Sequence, residues 1–251
     1  MLLFRPLTVA PVTRLGAHDC GERLNTLTTT LTQTQAATML SLQDRLNVRI
    51  DPAWIGAGQR FLRAAFVESA EALEHHGWKW WKKQTIDLPQ VQMELIDILH
   101  FYLSHSLVQA GGSPEQAAAL VARDLQGSGQ ISLDGQAFDL ASLDVPGLLE
   151  LIGGLAVCGR ASYETLQATM TACALSWDEA FKQYISKNML NIFRQDNGYK
   201  AGTYIKMWNG EEDNVVLARL MAGMDAQAPD FADRLYAGLV TEYAAATVPQ
   251  S

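Results

Sequence analysis

Two acidic pairs, Glu68/Glu71 and Glu94/Asp97, share one internal spacing of three residues. Both sit in the stretch FVESAEALEHHGWKWWKKQTIDLPQVQMELIDILHF, residues 66–101. Residues three apart lie on one face of a helix. Phe66, Val67, Ala70 and Leu73 border the first pair, and Met93, Leu95, Ile96, Ile98 and Leu99 the second. Acids bordered this way stand at the edge of a core or inside it, where unpaired like charge is costly. The pairs are either solvated helix faces or a set converging on a cation, and hard oxygen ligands in that number suit Mg2+ or Mn2+. Glu74 either extends the first face or pairs with Lys79 or Lys82.

The periodicity around these pairs is helical. Met39, Leu42, Leu46 and Ile50 mark an amphipathic helix in residues 37–50. Helices are expected at 58–77, stopped by Gly77, and at 88–112, with Pro89 at the start and Gly111-Gly112 at the end. Another is expected at 113–126, opened by Ser113-Pro114. Residues 127–147 hold Gly, Ser, Asp and Pro and read as a long connection. Helical patterns return at 148–159, over 162–195 as one run, and beyond Asn214. With no β alternation and no internal repeat, the expected class is all-α: a multi-helix bundle with a metal site between two adjacent helices. Residues 1–36 read as an N-terminal extension and 37–251 as one domain.

Composition excludes some functions. The chain has 251 residues, 48% of them hydrophobic and 18% charged, enough to fill a real core. A net charge of −8 argues against a nucleic-acid partner, which a basic surface would attract. No apolar run approaches the ~20 residues needed to span a bilayer, and Arg5 and Pro6 interrupt the N-terminus before it reads as a secretory signal. Cys20, Cys158 and Cys173 have no metal-site spacing and read as free thiols of a reducing cytoplasm.

Cations and amides gather late in this acidic chain. KNMLNIFRQDNGYKAGTYIKMWNGEEDN (187–214) holds Lys187, Arg194, Lys200 and Lys206, interleaved with Asn188, Asn191, Gln195, Asn209 and Asn214. It is a solvated loop or a phosphate-binding segment, since Arg and Lys make charge-assisted bonds to phosphate oxygens. GWKWWKK (77–83) either packs a helix end or closes over a base with its rings. His100 shares the face of Asp97, as a structural residue or a ligand. A carboxylate box with a cationic loop is the minimal kit for phosphoryl transfer.

These blocks, in order, resemble the dimeric dUTPases of the all-α nucleoside triphosphate pyrophosphatase superfamily. LQDRLN (42–47), FVESAE with GWKWWK, ELIDILHF, and the 187–214 segment carry the resemblance, while residues 1–35 and 127–175 match nothing in it. The resemblance implies Mg2+-dependent hydrolysis of dUTP to dUMP and pyrophosphate, with dUDP also accepted, by a homodimer. It assigns Glu68, Glu71, Glu94 and Asp97 to the metals, with Glu68 or Glu71 also polarising water. It places Gln43 and Asn47 at uracil and deoxyribose, with His100 and Phe101 nearby, and Trp81 at the wall of the base pocket. Lys187, Arg194, Tyr199, Lys200 and Lys206 would grip phosphate, Asn191 would join the substrate site, and Asn214 would hold the sugar or phosphate end. The rival readings are a relative of the same fold with another base, such as dCTP, and a non-catalytic helical binding protein.

Overall fold

A computed structural model describes residues 30–225, 228 and 230–247. Residues 1–29, most of the expected extension, lie outside the described residues. The first helix, α1 (Gln33–Ile50), begins four residues before its predicted start. Thr32 and Gln35 explain this: each side chain satisfies a backbone N–H of the other, a capping box that ends the Thr-rich run.

Helices α2 (Phe61–His76), α3 (Leu88–Gln109) and α4 (Pro114–Asp124) follow as the sequence leads one to expect. Gly77 closes α2 at φ +85°, in the left-handed region where a side chain is strained. Asp87 caps α3 by accepting from the Gln90 N–H, and Pro89 costs nothing in its first turn. Helix α3 runs through the middle of the molecule and packs on α1, α2, α4, α6 and α7. Val91, Leu95, Ile98, Leu99, Tyr102, Leu103 and Leu107 along it are fully buried. Each such side chain contributes roughly 1.5–3 kcal/mol by leaving water, which makes α3 the rigid element on which a site can be built.

Residues 127–147 are more than a connection. They form an antiparallel hairpin, β1 (Gln130–Leu133) and β2 (Gln136–Asp139), and a single 3-10 turn before α5 (Val145–Val157). Asp134 and Gly135 join the strands with φ of 50° and 76°, the signature of a type I′ turn. Ile131 and Leu140 turn inward onto Leu148, Leu151 and Leu155 of α5, a small core beside the main one.

The helical run 162–195 is two helices, α6 (Tyr163–Ala172) and α7 (Trp177–Asp196). Ala174 takes φ +55° at the break, and Ser176 restarts the chain by accepting from the Glu179 N–H. A second short hairpin, β3 (Met207–Trp208) and β4 (Glu211–Glu212), turns at Asn209-Gly210 and leads into α8 (Asp213–Ala222). Helix α9 (Phe231–Thr247) closes over α7 and α8. Phe193 of α7 meets Tyr204, Trp208, Tyr236 and Tyr243 edge-on and pins this C-terminal part to the bundle. Among the described residues the fold is thus an all-α bundle with two small hairpins.

Candidate active site

Helices α2 and α3 lie against each other and carry the acids on their facing sides. Oxygen atoms of Glu68, Glu94 and Asp97 all lie within 4.8 Å of one another. Burial, and then the charges of Asp97, Glu94 and Glu71, push the Glu68 carboxyl up to about 8. Burial and the same neighbours also raise Glu94, and a side-chain hydrogen bond joins it to Glu68. A proton shared inside the cluster is what clustered carboxylates adopt when no cation neutralises them.

Glu71 stands one turn beyond Glu68 and is exposed; its charge acts on Glu68 and Glu94, but it lies outside the tight trio. Glu74 takes the pairing alternative: it accepts from Trp78 Nε1 at 2.7 Å and pairs with Lys79. Two nitrogen groups, a lysine and a histidine, approach the trio. Lys187 Nζ of α7 lies 3.1 Å from Asp97 Oδ2, and His75 Nε2 lies 3.5 Å from Glu94 Oε1. His75 had no usable spacing in the sequence; only the packing of α2 on α3 reveals it.

One turn along α3, Gln43, Asn47 and His100 are brought together in a buried network. Ser104 Oγ donates to the His100 carbonyl and accepts from Asn47 Nδ2 at 3.0 Å. Asn47 Oδ1 therefore faces Gln43 and accepts from its Nε2 at 3.2 Å. That turns Gln43 Oε1 towards the Tyr184 hydroxyl at 2.7 Å and His100 Nδ1 at 2.8 Å. An amide oxygen only accepts, so His100 carries its hydrogen on Nδ1. Its ring stacks on Tyr184 with centroids 4.2 Å apart, and burial pushes the imidazole down to about 3, so it is neutral. His100 Nε2 and Asn188 Oδ1 are buried and have no hydrogen-bond partner among the described residues. Tyr184 and Ser104 were missed by sequence reasoning, and Asn188 was named only as one amide of the 187–214 segment; the i, i+4 spacing of Tyr184 and Asn188 was the available signal.

The other expected site residues fall in separate places. Phe101 is half-buried against the main core. Trp81 is exposed and meets Trp78 and Trp80 edge-on, Trp80 being 90% exposed. Arg194 places Nε and Nη2 on the fully buried Asp213, both at 2.8 Å, and Nη1 on Asn191 Oδ1 at 3.2 Å. Burial alone would raise the Asp213 carboxyl, but the hydrogen bonds from Arg194 and Tyr204 outweigh it and hold it below the usual range. Tyr199 offers its ring to the Arg194 guanidinium at 5.9 Å. Lys200 Nζ binds the Ile50 carbonyl at 2.6 Å, and Lys206 faces Glu212 at 3.8 Å. Asn214 and Lys187 both line a cavity of about 320 Å³ among α3, α7 and α8, with Met93, Ile96 and Leu217 on its apolar side.

Carboxylates gathered from two adjacent helices, with a lysine from a third beside them, form a candidate site for a divalent cation in an all-α bundle. A family model described as dUTPase matches residues 35–199, more than half of the chain. The chain belongs to the dimeric all-α dUTPase family and is a dUTP diphosphatase. The match runs through residues 127–175, which the sequence blocks did not place, and stops before Lys200, Lys206 and Asn214. No curated protein sequence matches the chain. No helix among the described residues is long and apolar enough to cross a membrane.

Proposed function

We propose that the protein hydrolyses dUTP to dUMP and pyrophosphate in a Mg2+-dependent reaction, Mn2+ serving as a substitute, and accepts dUDP with release of phosphate. The observation that carries this reading is the oxygen trio of Glu68, Glu94 and Asp97, a hard donor set that fits a divalent cation and shares a proton without one. Glu68, Glu94 and Asp97 would hold the ion, with Glu71 joining from its exposed position. When bound, the ion supplies Lewis acidity towards the phosphate chain and the attacking water.

The remaining steps belong to the chain's own groups. A carboxylate of Glu68 or Glu71 takes a proton from the attacking water. Lys187, already beside Asp97, carries positive charge to the phosphate oxygens, where charge develops on the leaving group. Asn214, across the shared cavity, holds the sugar or phosphate end. Tyr199, Lys200 and Lys206 belong to the phosphate end in this reading, and Arg194 with Asn191 supports that loop through Asp213. Gln43, Asn47 and His100 read the uracil edge, with Phe101 and Trp81 flanking the base. Asp97 and His100 are three residues apart on α3, as are Lys187 and Tyr184 on α7. Phosphate end and base end are thereby separated by one helical step of about 4.5 Å.

The working form in this reading is a cytoplasmic homodimer with a small nucleotide as its ligand. Pyrophosphate release from dUTP, dCTP and dTTP with Mg2+ tests the base assignment, and comparable rates on all three would end the uracil reading. Asp97→Asn tests the metal assignment, and full activity in that variant would remove it.

A further inference from the structure

His75 stands at the joint between the two helices that carry the acids. It is the last residue but one of α2, and Gly77 ends the helix just beyond it. Its carbonyl accepts from the N–H of Asp87 at 2.9 Å, and Asp87 in turn caps α3. The main chain at residue 75 thus ties the end of α2 to the start of α3. Glu94 lies two turns further along α3. The His75 side chain reaches it, with Nε2 3.5 Å from Glu94 Oε1.

Of the acid trio, Glu94 is the buried member, while Glu68 and Asp97 are half-buried. A buried carboxylate needs donors on its oxygens. Asp97 has Lys187 at 3.1 Å. Glu94 accepts from the protonated Glu68 carboxyl. That donor exists only while the cluster keeps its proton, which a divalent cation displaces. Glu94 then needs another hydrogen bond at the moment its oxygens must be fixed. Imidazole Nε2 carries a hydrogen in the charged ring and in one neutral tautomer, and donates in either. Such bonds are often long in a ligand-free site and tighten when the ligand arrives.

We propose that His75 is a positioning residue of the acid cluster: its Nε2–H holds Glu94 Oε1 and fixes the rotation of the carboxylate that a divalent cation meets. This rests on the reading that the trio binds a metal. Donors standing behind a metal ligand set its orientation, and losing one commonly costs about 10–100-fold in metal affinity. The contact acts with the opposite sign to Lys187. A cationic group beside the cluster competes with an ion, so its removal tightens binding. A donor that orders a ligand prepares the site, so its removal weakens binding.

The test measures Mn2+ binding by titration calorimetry, without nucleotide, in wild type, His75→Ala, His75→Gln and Asp97→Asn. His75→Ala keeps the main-chain bond to Asp87 and removes only the imidazole. It should weaken Mn2+ binding about tenfold. The side chain is 36% exposed, so the melting temperature of the metal-free protein should stay within about 2 °C of wild type. His75→Gln sets an amide N–H near the place of Nε2 and should return the affinity to within about threefold of wild type. In turnover of dUTP, the Mg2+ concentration giving half the maximal rate should rise about tenfold in His75→Ala, with kcat at saturating Mg2+ nearly kept. Unchanged or tighter Mn2+ binding in His75→Ala, or a loss that His75→Gln does not reverse, overturns the proposal. A melting temperature that falls in step with affinity makes the residue merely structural and overturns it as well. Asp97→Asn separates this claim from the reading beneath it. Full Mn2+ affinity there removes the metal site itself, whereas affinity lost there and kept in His75→Ala removes only the role of His75.

Discussion

Lys187 Nζ lies 3.1 Å from Asp97 Oδ2, so α7 delivers a positive charge into the acid cluster that α2 and α3 build. The ammonium sits where a bound cation would exert its strongest repulsion. Lys187→Met should tighten Mn2+ binding in the absence of nucleotide by several-fold, because a competing cation is gone. The same change should raise KM for dUTP by tenfold or more, as a charge-assisted phosphate contact is lost. Calorimetric titration of Mn2+ beside steady-state kinetics checks both signs.

The cluster should destabilise the protein it serves. Like charges held within 4.8 Å repel when no cation is present. Glu68→Gln should therefore raise the melting temperature of metal-free protein at pH 8 and reduce turnover at least a hundredfold. Thermal melts with and without Mg2+ report the trade, since the stabilisation by Mg2+ seen in wild type should shrink in the variant.

Proton release should accompany metal binding. The Glu68 carboxyl is raised from 4.5 to about 8, so the folded metal-free protein holds a proton that the unfolded chain gives up. The stability this group contributes is fully present below pH 4.5 and is lost as pH rises through 8. Mg2+ displaces the proton, so its affinity should climb between about pH 5 and 8 and then level off. Titration calorimetry at pH 7 in buffers of different ionisation heat should show about one proton released per site.

The Arg194–Asp213 pair is structural in the fold described above. Asp213→Ala leaves a largely buried guanidinium without its partner and should cost about 3–5 kcal/mol. Asp213 has a lowered folded value, so its stabilisation is present above the ordinary 3.8 and lost as pH falls through the depressed one. Acid unfolding of wild type should therefore begin below about pH 4 from this pair. Urea melts of Asp213→Ala at neutral pH measure its size.

Helix α2 reaches its place through a close approach at Gly153. A Cβ there would stand 2.9 Å from Ser69 Oγ and 3.5 Å from the Phe66 ring. Gly153→Val should cost about 1–3 kcal/mol by overpacking. It should also weaken Mn2+ binding, because Ser69 is the neighbour of Glu68. A stability loss with unchanged metal affinity would show that α2 does not transmit the shift.

Much of this site was legible from spacing. Glu68, Glu94 and Asp97 were named by their i, i+3 pattern among apolar neighbours, and Gln43 and Asn47 by position in a sequence block. The two hairpins were not read from the sequence: Asp134-Gly135 and Asn209-Gly210 are turn signals, but strands this short show no alternation beside them. The long run 162–195 hid its break because Cys173, Ala174 and Leu175 are all compatible with a helix. Only Ser176 with Glu179 marked a new start.

By itself the chain's order of residues determined the helices, their caps and the face on which each acid lies, because those depend on neighbours within a turn. Tertiary packing decided which faces meet. It left Glu71 exposed, set Arg194 on Asp213, brought Lys187 to Asp97 and turned Tyr184 onto Gln43, partners 90 and 141 residues apart. Periodicity records that a side chain points inward and carries no record of what it will find there. The partner is chosen only when the helices pack at one register and buried polar groups must all be paired.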